Sequence, residues 1–149
     1  SGGTSIQKEP GTVSSDIKIT PEEVLLWTRE IETEVWRKTG AVHCSVLFYD
    51  GKCIVKSSDI GRHNTVDKVV GHAILNRIDL SRCVIGCTGR QPAGMVKKYA
   101  NAGIPVVISR AASTDKGIAT AESAGITLVC FSRGDRFTIY THPERIVGS

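Results

Sequence analysis

The sequence lacks the features that mark several common classes of protein. Aromatic residues make up only 5% of it, which leaves few side chains on which nucleic-acid bases could stack. Its apolar runs, such as residues 126–131, fall far short of the roughly 20 residues that a membrane-spanning helix needs. The opening residues, SGGTSIQKEP, contain no basic region followed by an apolar stretch, as a signal peptide would. We therefore expect a cytoplasmic protein that has neither a membrane nor a nucleic acid as its partner.

Several motifs with a known chemistry are also missing. The chain contains no Gly-x-x-x-x-Gly-Lys-Ser/Thr loop for phosphates, no Gly-x-Gly-x-x-Gly fingerprint for dinucleotides and no Gly-x-Ser-x-Gly elbow for a nucleophilic serine. No second pair of ligands stands at zinc-like spacing from His43 and Cys44, which argues against a metal site.

The five cysteines are an odd number and are scattered along the chain, without a Cys-x-x-Cys pair. Cys83 and Cys87 fall on one predicted strand, where four residues span about 13 Å and cannot be bridged by a disulfide. Reduced thiols are the simpler interpretation. We expect a core or half-buried position for all of them: Cys44, Cys53, Cys83, Cys87 and Cys130.

A length of 149 residues, of which 40% are hydrophobic, fits one domain with a single core. Residues 1–19 are rich in Ser, Gly and Thr without a period, which indicates a flexible lead-in or linker before a domain over residues 20–149. The net charge of +4 permits an anionic partner without demanding one.

The first predicted element of the domain is a helix. Thr20 is its expected N-cap, Pro21 opens the first turn, and Glu23 completes a capping box. An apolar stripe over residues 24–35 continues the helix, and Gly40 is expected to end it.

The remaining pattern predicts an α/β domain. An Asp-Gly pair joins a predicted hairpin over residues 42–49 and 52–56, and Asn64 is expected to cap the next helix. Strands then alternate with helices of about ten residues, as βαβ crossovers require. The expected strands are 83–87, 106–109, 126–131 and 137–140, and the expected helices are 93–101 and 116–124. We predict a mixed sheet with helices on both faces.

Arginines are concentrated where the chain would leave this sheet. Ligands of an open parallel sheet bind beyond the carboxyl ends of its strands, and half of the ten arginines fall in four loops that follow predicted strands. Guanidinium groups match phosphate oxygens bidentately, and the adjacent helix N-termini would add backbone N–H groups. The sequence therefore predicts an anion site at this edge, formed by Arg62, Arg90, Arg110, Arg133 and Arg136.

Each of these arginines alone also fits an ordinary solvated loop charge, and only the cluster favours a site. His63 and Asn64, beside Arg62 at a helix start, could orient a phosphate or transfer a proton; alternatively, Asn64 only caps the helix and His63 is solvated. His142 lies in the stretch 140–145, which could be a docking tail or a packed C-terminus.

Several runs of residues together resemble one known family. They are TGAVH at 39–43, DIGRHNTVDK at 59–68, TGR at 88–90, FSRGDR at 131–136 and YTHPER at 140–145. Over residues 36–146 the chain resembles the larger, C-terminal domain of the FdhD-like formate dehydrogenase accessory sulfurtransferases.

The resemblance implies a three-layer α/β/α sandwich with a mixed, mostly parallel sheet, similar to the cytidine deaminase fold, and a homodimer. It also implies a role in molybdenum cofactor biosynthesis. Sulfur from a cysteine desulfurase, carried as a cysteine persulfide, would pass to the molybdenum or tungsten bis(molybdopterin guanine dinucleotide) cofactor before its insertion into formate dehydrogenase.

The resemblance also extends the candidate site. The cofactor-binding stretch of the family matches Phe131, Ser132, Arg133, Gly134, Asp135 and Arg136. Together with the residues at the strand ends, the expected cofactor-binding set also contains Arg62, His63, Asn64, Arg90 and Arg110. A guanine nucleotide should then act as a mimic of the cofactor.

One part of the family pattern is absent. The sulfur-carrying Cys-x-x-Cys loop of the family precedes this domain, so no catalytic residue is assigned here, and a longer native protein is the preferred explanation. A zinc deaminase would need His-x-Glu and Pro-Cys-x-x-Cys, whereas this chain has His43-Cys44-Ser45. The alternative function is a non-catalytic chaperone module that binds the nucleotide or the cofactor and presents it to a partner enzyme.

Overall fold

Short buried strands alternate with helices along the described part of the chain, which comprises residues 12–32, 42–133 and 135–148 of a computed structural model. The strands are β1 (His43–Tyr49), β2 (Lys52–Asp59), β3 (Cys83–Cys87), β4 (Val106–Ser109), β5 (Thr127–Arg133) and β6 (Arg136–Thr141). The helices are α1 (Pro21–Ile31), α2 (Arg62–Leu75), α3 (Ala93–Ala102) and α4 (Asp115–Ala124), with single 3-10 turns at Leu80–Arg82 and Pro143–Arg145. None of the helices in these ranges is long and apolar enough to cross a bilayer.

The strands form one mixed sheet in the order β2-β1-β3-β4-β5-β6. Strands β3, β4 and β5 are parallel, whereas β1 is antiparallel to both of its neighbours and β6 is antiparallel to β5. Four strands, β2 to β5, therefore run in one direction, and their carboxyl ends meet at one edge of the sheet. We call this the upper edge and the opposite one, which contains the Asp50–Gly51 turn, the lower edge.

Side-chain alternation along the strands gives the sheet two apolar faces. Leu47, Ile85 and Val107 belong to the face that α2, α3 and α4 cover. Val46 and the stacked pair of Phe48 and Trp27, with ring centroids 5.0 Å apart, belong to the face that α1 covers. The expected three-layer α/β/α arrangement is confirmed.

Local sequence signals explain where the first elements begin. The Thr20 N–H donates to Glu23 Oε1 at 2.9 Å, and the Glu23 N–H donates to Thr20 Oγ1 at 3.1 Å, which completes the expected capping box. Asp50 and Gly51 have φ values of 53° and 79°, as a two-residue hairpin turn requires.

Two helix boundaries differ from the prediction by more than one residue. Helix α1 ends at Ile31, because Glu32 leaves helical geometry with ψ 72° and its carboxylate pairs with Arg110 instead. The predicted continuation to Gly40 is therefore wrong at residue 32, and residues 33–41 lie outside the described ranges.

The second difference concerns α2, which begins at Arg62 with Gly61 as its N-cap rather than at Asn64. The Gly61 carbonyl accepts hydrogen bonds from the N–H groups of Asn64 (3.1 Å) and Thr65 (3.3 Å), so the first turn already encloses Asn64. The Asn64 side chain instead donates to Asp59 Oδ1 at 3.4 Å.

Both ends of the described chain pack against the rest of the domain. The Val13 N–H donates to the Ala124 carbonyl at 2.7 Å, and Val13 and Ile19 are buried. These contacts attach residues 12–19 to the domain. The expected boundary at residue 20, between a lead-in and the domain, stays a prediction. At the other end, the buried Arg145 shows that the stretch 140–145 is a packed C-terminus and not a tail.

Candidate functional site

The topology brings the arginine-bearing loops to the upper edge. Arg62 follows β2, Arg90 follows β3 and Arg110 follows β4, while Arg133 and Arg136 flank the turn between β5 and β6. Because β2 to β5 share one direction, all four loops leave the sheet on the same side. The predicted anion site required that the carboxyl ends of these strands share one edge of the sheet, and they do.

Main-chain hydrogen bonds join the loops into one frame. The Arg110 N–H donates to the Cys87 carbonyl at 3.1 Å, and the Gln91 N–H donates to the Ala112 carbonyl at 3.0 Å. One strand further along, the Phe131 N–H donates to the Ala111 carbonyl at 3.1 Å. The loops after β3 and β4 and the last part of β5 are thus held in fixed relation to one another by their own backbone.

His43 lies at this edge, beside the loop after β3. A Cβ atom on Gly89 would lie 3.1 Å from His43 Nδ1 and 3.4 Å from Arg62 Cδ, so the loop after β3 packs closely between these two side chains. The sequence-based site set omitted His43. Its place follows from β1 running antiparallel to β3, which brings the first residue of β1 to the edge where β3 ends.

Two other predicted residues stand on the exposed side of α2. His63 and Asn64 are both exposed, and His63 Cε1 lies 4.0 Å from the position that a Cβ on Gly94 would take. The neighbouring Asp59 carboxylate accepts hydrogen bonds from the Gly61 N–H (3.0 Å) and from Lys68 (2.9 Å), which lower its pKa to about 2. Lys68 thereby offsets the negative charge of Asp59 beside the start of α2.

Arg110 differs from the other arginines of the upper edge. Its Nε lies 2.5 Å from Glu32 Oε2, and both side chains are about four-fifths buried, with 21% and 22% exposed. The charge of this guanidinium is already balanced inside the protein, where it holds the end of α1 against the loop after β4. Arg110 therefore supports the frame more than it offers charge to a ligand.

The stretch from Phe131 to Arg136 divides into an inward and an outward part. The Ser132 hydroxyl is buried and hydrogen-bonds to the Thr28 hydroxyl of α1. Arg133 is exposed, and its guanidinium carbon lies 5.7 Å from the centroid of the Phe131 ring. Arg136 and Asp135 have 86% and 94% of their side chains exposed and lie 3.8 Å apart. Gly134 lies outside the described residues.

Phe131 has an unusual backbone. Its φ of 56° is in the left-handed region, at an irregularity in the pairing of β5 with β6 between Cys130 and Arg133. Such a conformation costs a non-glycine residue about 1 kcal/mol or more. It lets β5 anchor Ser132 against α1 while Arg133 stays in solvent.

The thiols are poorly suited to chemistry at this edge. Burial raises the pKa of Cys83 and of Cys130 to about 12, and it also raises the pKa of the Cys87 thiol. The expectation that every cysteine would be core or half-buried is wrong for Cys53, which is exposed because it lies on β2 at the margin of the sheet. In the described ranges, no three His, Cys, Asp or Glu side chains are grouped as a metal would need.

A cleft of about 330 Å³ lies at the lower edge, on the α1 face. It is lined by Asp16, Ile17, Lys18, Ile19, Glu23, Trp27, Phe48, Asp50, Gly51, Arg82 and Val84. Three of these side chains are acidic and two are basic, so the cleft does not favour an anion, and it lies at the opposite end of the strands from the arginine loops.

Comparison with known proteins identifies the family. The model of the FdhD/NarQ family matches residues 3–147, almost the whole chain. The chain belongs to the FdhD/NarQ family. The curated relative from Thermoplasma volcanium, a sulfur carrier protein FdhD, is 48% identical over 115 residues, which are 76% of this chain and 41% of that protein. The FdhD of Thermoplasma acidophilum is 43% identical over 140 residues, 92% of this chain and 50% of that protein.

A solved structure supports the same assignment. A crystal structure described as a formate dehydrogenase accessory protein from Desulfotalea psychrophila matches with a TM-score of 0.84 and 33% identity, covering 96% of this chain and 63% of that one. This FdhD/NarQ chain spans about half the length of the curated relatives it matches.

Proposed function

We propose that this domain binds the guanine dinucleotide ends of the bis(molybdopterin guanine dinucleotide) cofactor at its upper edge, as cargo. The observation that carries the proposal is a set of three exposed arginines at that edge. Arg90 lies on the loop after β3, and Arg133 and Arg136 lie at the paired ends of β5 and β6. The cofactor has two pyrophosphate groups, and guanidinium groups are the side chains best suited to bind them.

The sulfur-transfer step requires a donor thiol from outside these residues. In the proposed reaction, a cysteine desulfurase loads a persulfide on a longer form of the protein, and the sulfur passes to the bound cofactor before formate dehydrogenase receives it. The thiols described here support this division, because Cys83, Cys87 and Cys130 are buried on strands with raised pKa values. A cytoplasmic location and a homodimer belong to the same proposal.

The second candidate is a chaperone module without chemistry of its own. It is favoured by one observation: within the described ranges, no cysteine lies in the loops of the upper edge. Incubation with a cysteine desulfurase and cysteine, followed by mass spectrometry of the peptides covering all five cysteines, examines both candidates. We expect no transferable persulfide on this chain, whereas a longer chain with a Cys-x-x-Cys loop should carry one. If that longer chain also remains unmodified, the chaperone function is the better description.

Calorimetric titration with GDP tests the cargo site. Arg133→Ala or Arg136→Ala should weaken binding by about 1.5–3 kcal/mol, the range for hydrogen bonds to a charged group, which is roughly 10- to 150-fold. Arg82→Ala is the matched control, because it removes the same charge from an exposed arginine at the lower edge. Equal effects of all three variants, or none, would contradict the site.

A further inference from the structure

The carbonyl group of Gly89 is turned into the protein. It accepts two hydrogen bonds from side chains, one from Ser109 Oγ at 2.8 Å and one from Gln91 Nε2 at 2.9 Å. Both donor residues are fully buried. Two buried side-chain donors therefore hold this carbonyl toward the interior.

The orientation of this carbonyl fixes the next N–H group. A trans peptide is planar, with its C=O and N–H pointing in opposite directions, and no cis peptide occurs in the described chain. The N–H of Arg90 therefore points away from Gln91 and Ser109. Among the described residues, it donates to no acceptor.

Hydrogen bonds from two other residues hold Gln91 in place. Its Oε1 accepts a hydrogen bond from the Tyr99 hydroxyl at 2.7 Å, and its carbonyl accepts one from Ser113 Oγ at 2.8 Å. Tyr99 is also fully buried, so the surrounding protein restricts rotation of the Gln91 side chain. The loop after β3 is thereby locked to the loop after β4.

Burial of the Gln91 amide needs hydrogen-bond partners that an apolar side chain would not need. Burying an amide costs free energy unless its polar atoms are paired, whereas a methionine of similar size would carry no such cost. The bonds of Gln91 act on the two loops that carry Arg90 and Arg110. Their common result is an inward Gly89 carbonyl and an outward Arg90 N–H beside an exposed guanidinium.

We propose that Gln91 is a positioning residue of the anion site. Together with Ser109 it holds the Gly89 carbonyl inward, so that the Arg90 N–H donates to a phosphate oxygen of a guanine nucleotide. The inference rests on the proposed function, since it concerns the phosphate groups of the same cargo. In this role the buried Gln91 amide orients the backbone N–H of Arg90 and does not itself contact the ligand.

The test compares GDP with guanosine, because the proposed donor acts only on phosphate. In calorimetric titrations, Gln91→Met should lower the affinity for GDP about tenfold, in line with one lost hydrogen bond to a charged group, and leave that for guanosine unchanged. Tyr99→Phe keeps Gln91 but removes the hydroxyl that holds it, and should lower the preference for GDP about threefold. A change in the ratio of the affinity for GDP to the affinity for guanosine is not the result of lost stability alone.

Thr141→Val is the matched control. The buried Thr141 hydroxyl donates to the Ile126 carbonyl at 2.7 Å and accepts from the Leu128 N–H at 3.0 Å, at the lower edge. The variant should lower the melting temperature and leave the ratio of GDP to guanosine affinity unchanged. If Gln91→Met fails to fold, Tyr99→Phe decides the question.

Three results would contradict the inference in distinguishable ways. A wild-type chain that binds GDP no better than guanosine overturns the proposed anion site and this inference with it. A wild type that prefers GDP, with folded variants of Gln91 or Tyr99 that keep the same preference, overturns the inference alone. An equal loss of preference in Thr141→Val would show that Gln91 acts through stability.

Discussion

Arginines at the two edges of the sheet have different partners. At the lower edge, the guanidinium of the buried Arg145 donates to the carbonyls of Pro105 (3.2 Å) and Gly125 (2.6 Å) and to Thr127 Oγ1 (3.2 Å). At the upper edge, Arg133 and Arg136 are exposed, and the nearest carboxylate to Arg136 is the almost fully exposed Asp135 at 3.8 Å.

The difference separates arginines that hold the fold from arginines free to bind a ligand. A guanidinium whose donors already meet buried protein acceptors stabilises the fold and has little left for a ligand. Arg110 belongs with Arg145 in this respect, because its carboxylate partner Glu32 is about four-fifths buried beside it. Counting arginines in loops therefore overstates the number that an anion would meet.

The lower edge also contains the 330 Å³ cleft, which volume alone would favour as the binding site. Chemistry argues for the other edge. The cleft combines Asp16, Glu23 and Asp50 with only two basic residues, and Arg82 within it already pairs with Asp16 at 3.3 Å. The upper edge holds the exposed arginines and the Arg90 N–H, which donates to no acceptor among the described residues. We therefore propose that the cargo binds there.

Replacing Arg145 should have the largest effect and should act only on stability. Arg145→Met removes the guanidinium donor from the buried Gly125 carbonyl and one of two donors from the Pro105 carbonyl, which keeps the Thr127 N–H at 2.8 Å. We expect a loss of about 3 kcal/mol in the free energy of unfolding. Urea denaturation measures this loss, and GDP titration of the still-folded protein should give the wild-type affinity. A stable Arg145→Met protein, or one that loses GDP affinity, would break the distinction between the two edges.

Thiol reactivity should follow exposure in the same way. Cys53 is exposed, whereas Cys44, Cys83, Cys87 and Cys130 are buried, so iodoacetamide should modify Cys53 at least about tenfold faster. Partial burial and the nearby Glu30 raise the pKa of Cys53. Its rate should therefore keep rising as the pH passes 9, without a plateau near neutrality. Rapid labelling of Cys87 at pH 7 would show that the loops above it open readily.

The smallest expected effect is the pH dependence of stability that comes from His142 at the lower edge. His142 Nε2 donates to the Glu122 carbonyl at 2.8 Å, and this bond, with Glu144 and Glu122 nearby, raises the pKa of His142. Its contribution to stability is therefore fully present below about pH 6.5, the ordinary value for histidine, and is lost as the pH rises through the raised value.

We expect this contribution to be less than about 0.5 kcal/mol, because the carboxylates of Glu122 and Glu144 are largely exposed and salt screens their interaction with His142. Urea midpoints measured between pH 6 and pH 9 should decline in the wild type and stay flat in His142→Asn. Asparagine is the suitable replacement, because His142 has a φ of 44°, which asparagine tolerates. A flat wild-type profile would contradict the raised pKa.

Local chemistry made most of the fold predictable. The capping box at Thr20, the Asp50–Gly51 turn and the bounds of β3 and β4 all depend on residues close in sequence. The upper edge could be predicted because parallel strands share their carboxyl ends. The bounds of α1 and α2 could not, since Glu32 pairs with a residue 78 positions away and the Gly61 carbonyl forms the first turn before Asn64.

The missed parts of the candidate site depend on strand pairing, on a buried polar contact and on backbone geometry, none of which a pattern of residue types specifies. His43 reaches the edge only through the antiparallel pairing of β1 with β3. Gln91 and Tyr99 are eight residues apart, and a pattern of apolar residues assigns no partner to a buried amide. Asn64 was expected as a cap because asparagine favours that position, yet the helix begins earlier, where the Gly61 carbonyl starts the hydrogen-bonded turn.

The most direct test of the assignment to the upper edge is an amide chemical-shift titration of the isotopically labelled chain with GDP. Our account predicts that the perturbed amides cluster at residues 62–64, 89–91, 110–112 and 131–136, with Arg90 among the largest shifts. The amides around Trp27 and Arg82 in the lower cleft should stay unchanged. Perturbations concentrated in that cleft, with an unperturbed upper edge, would contradict the account.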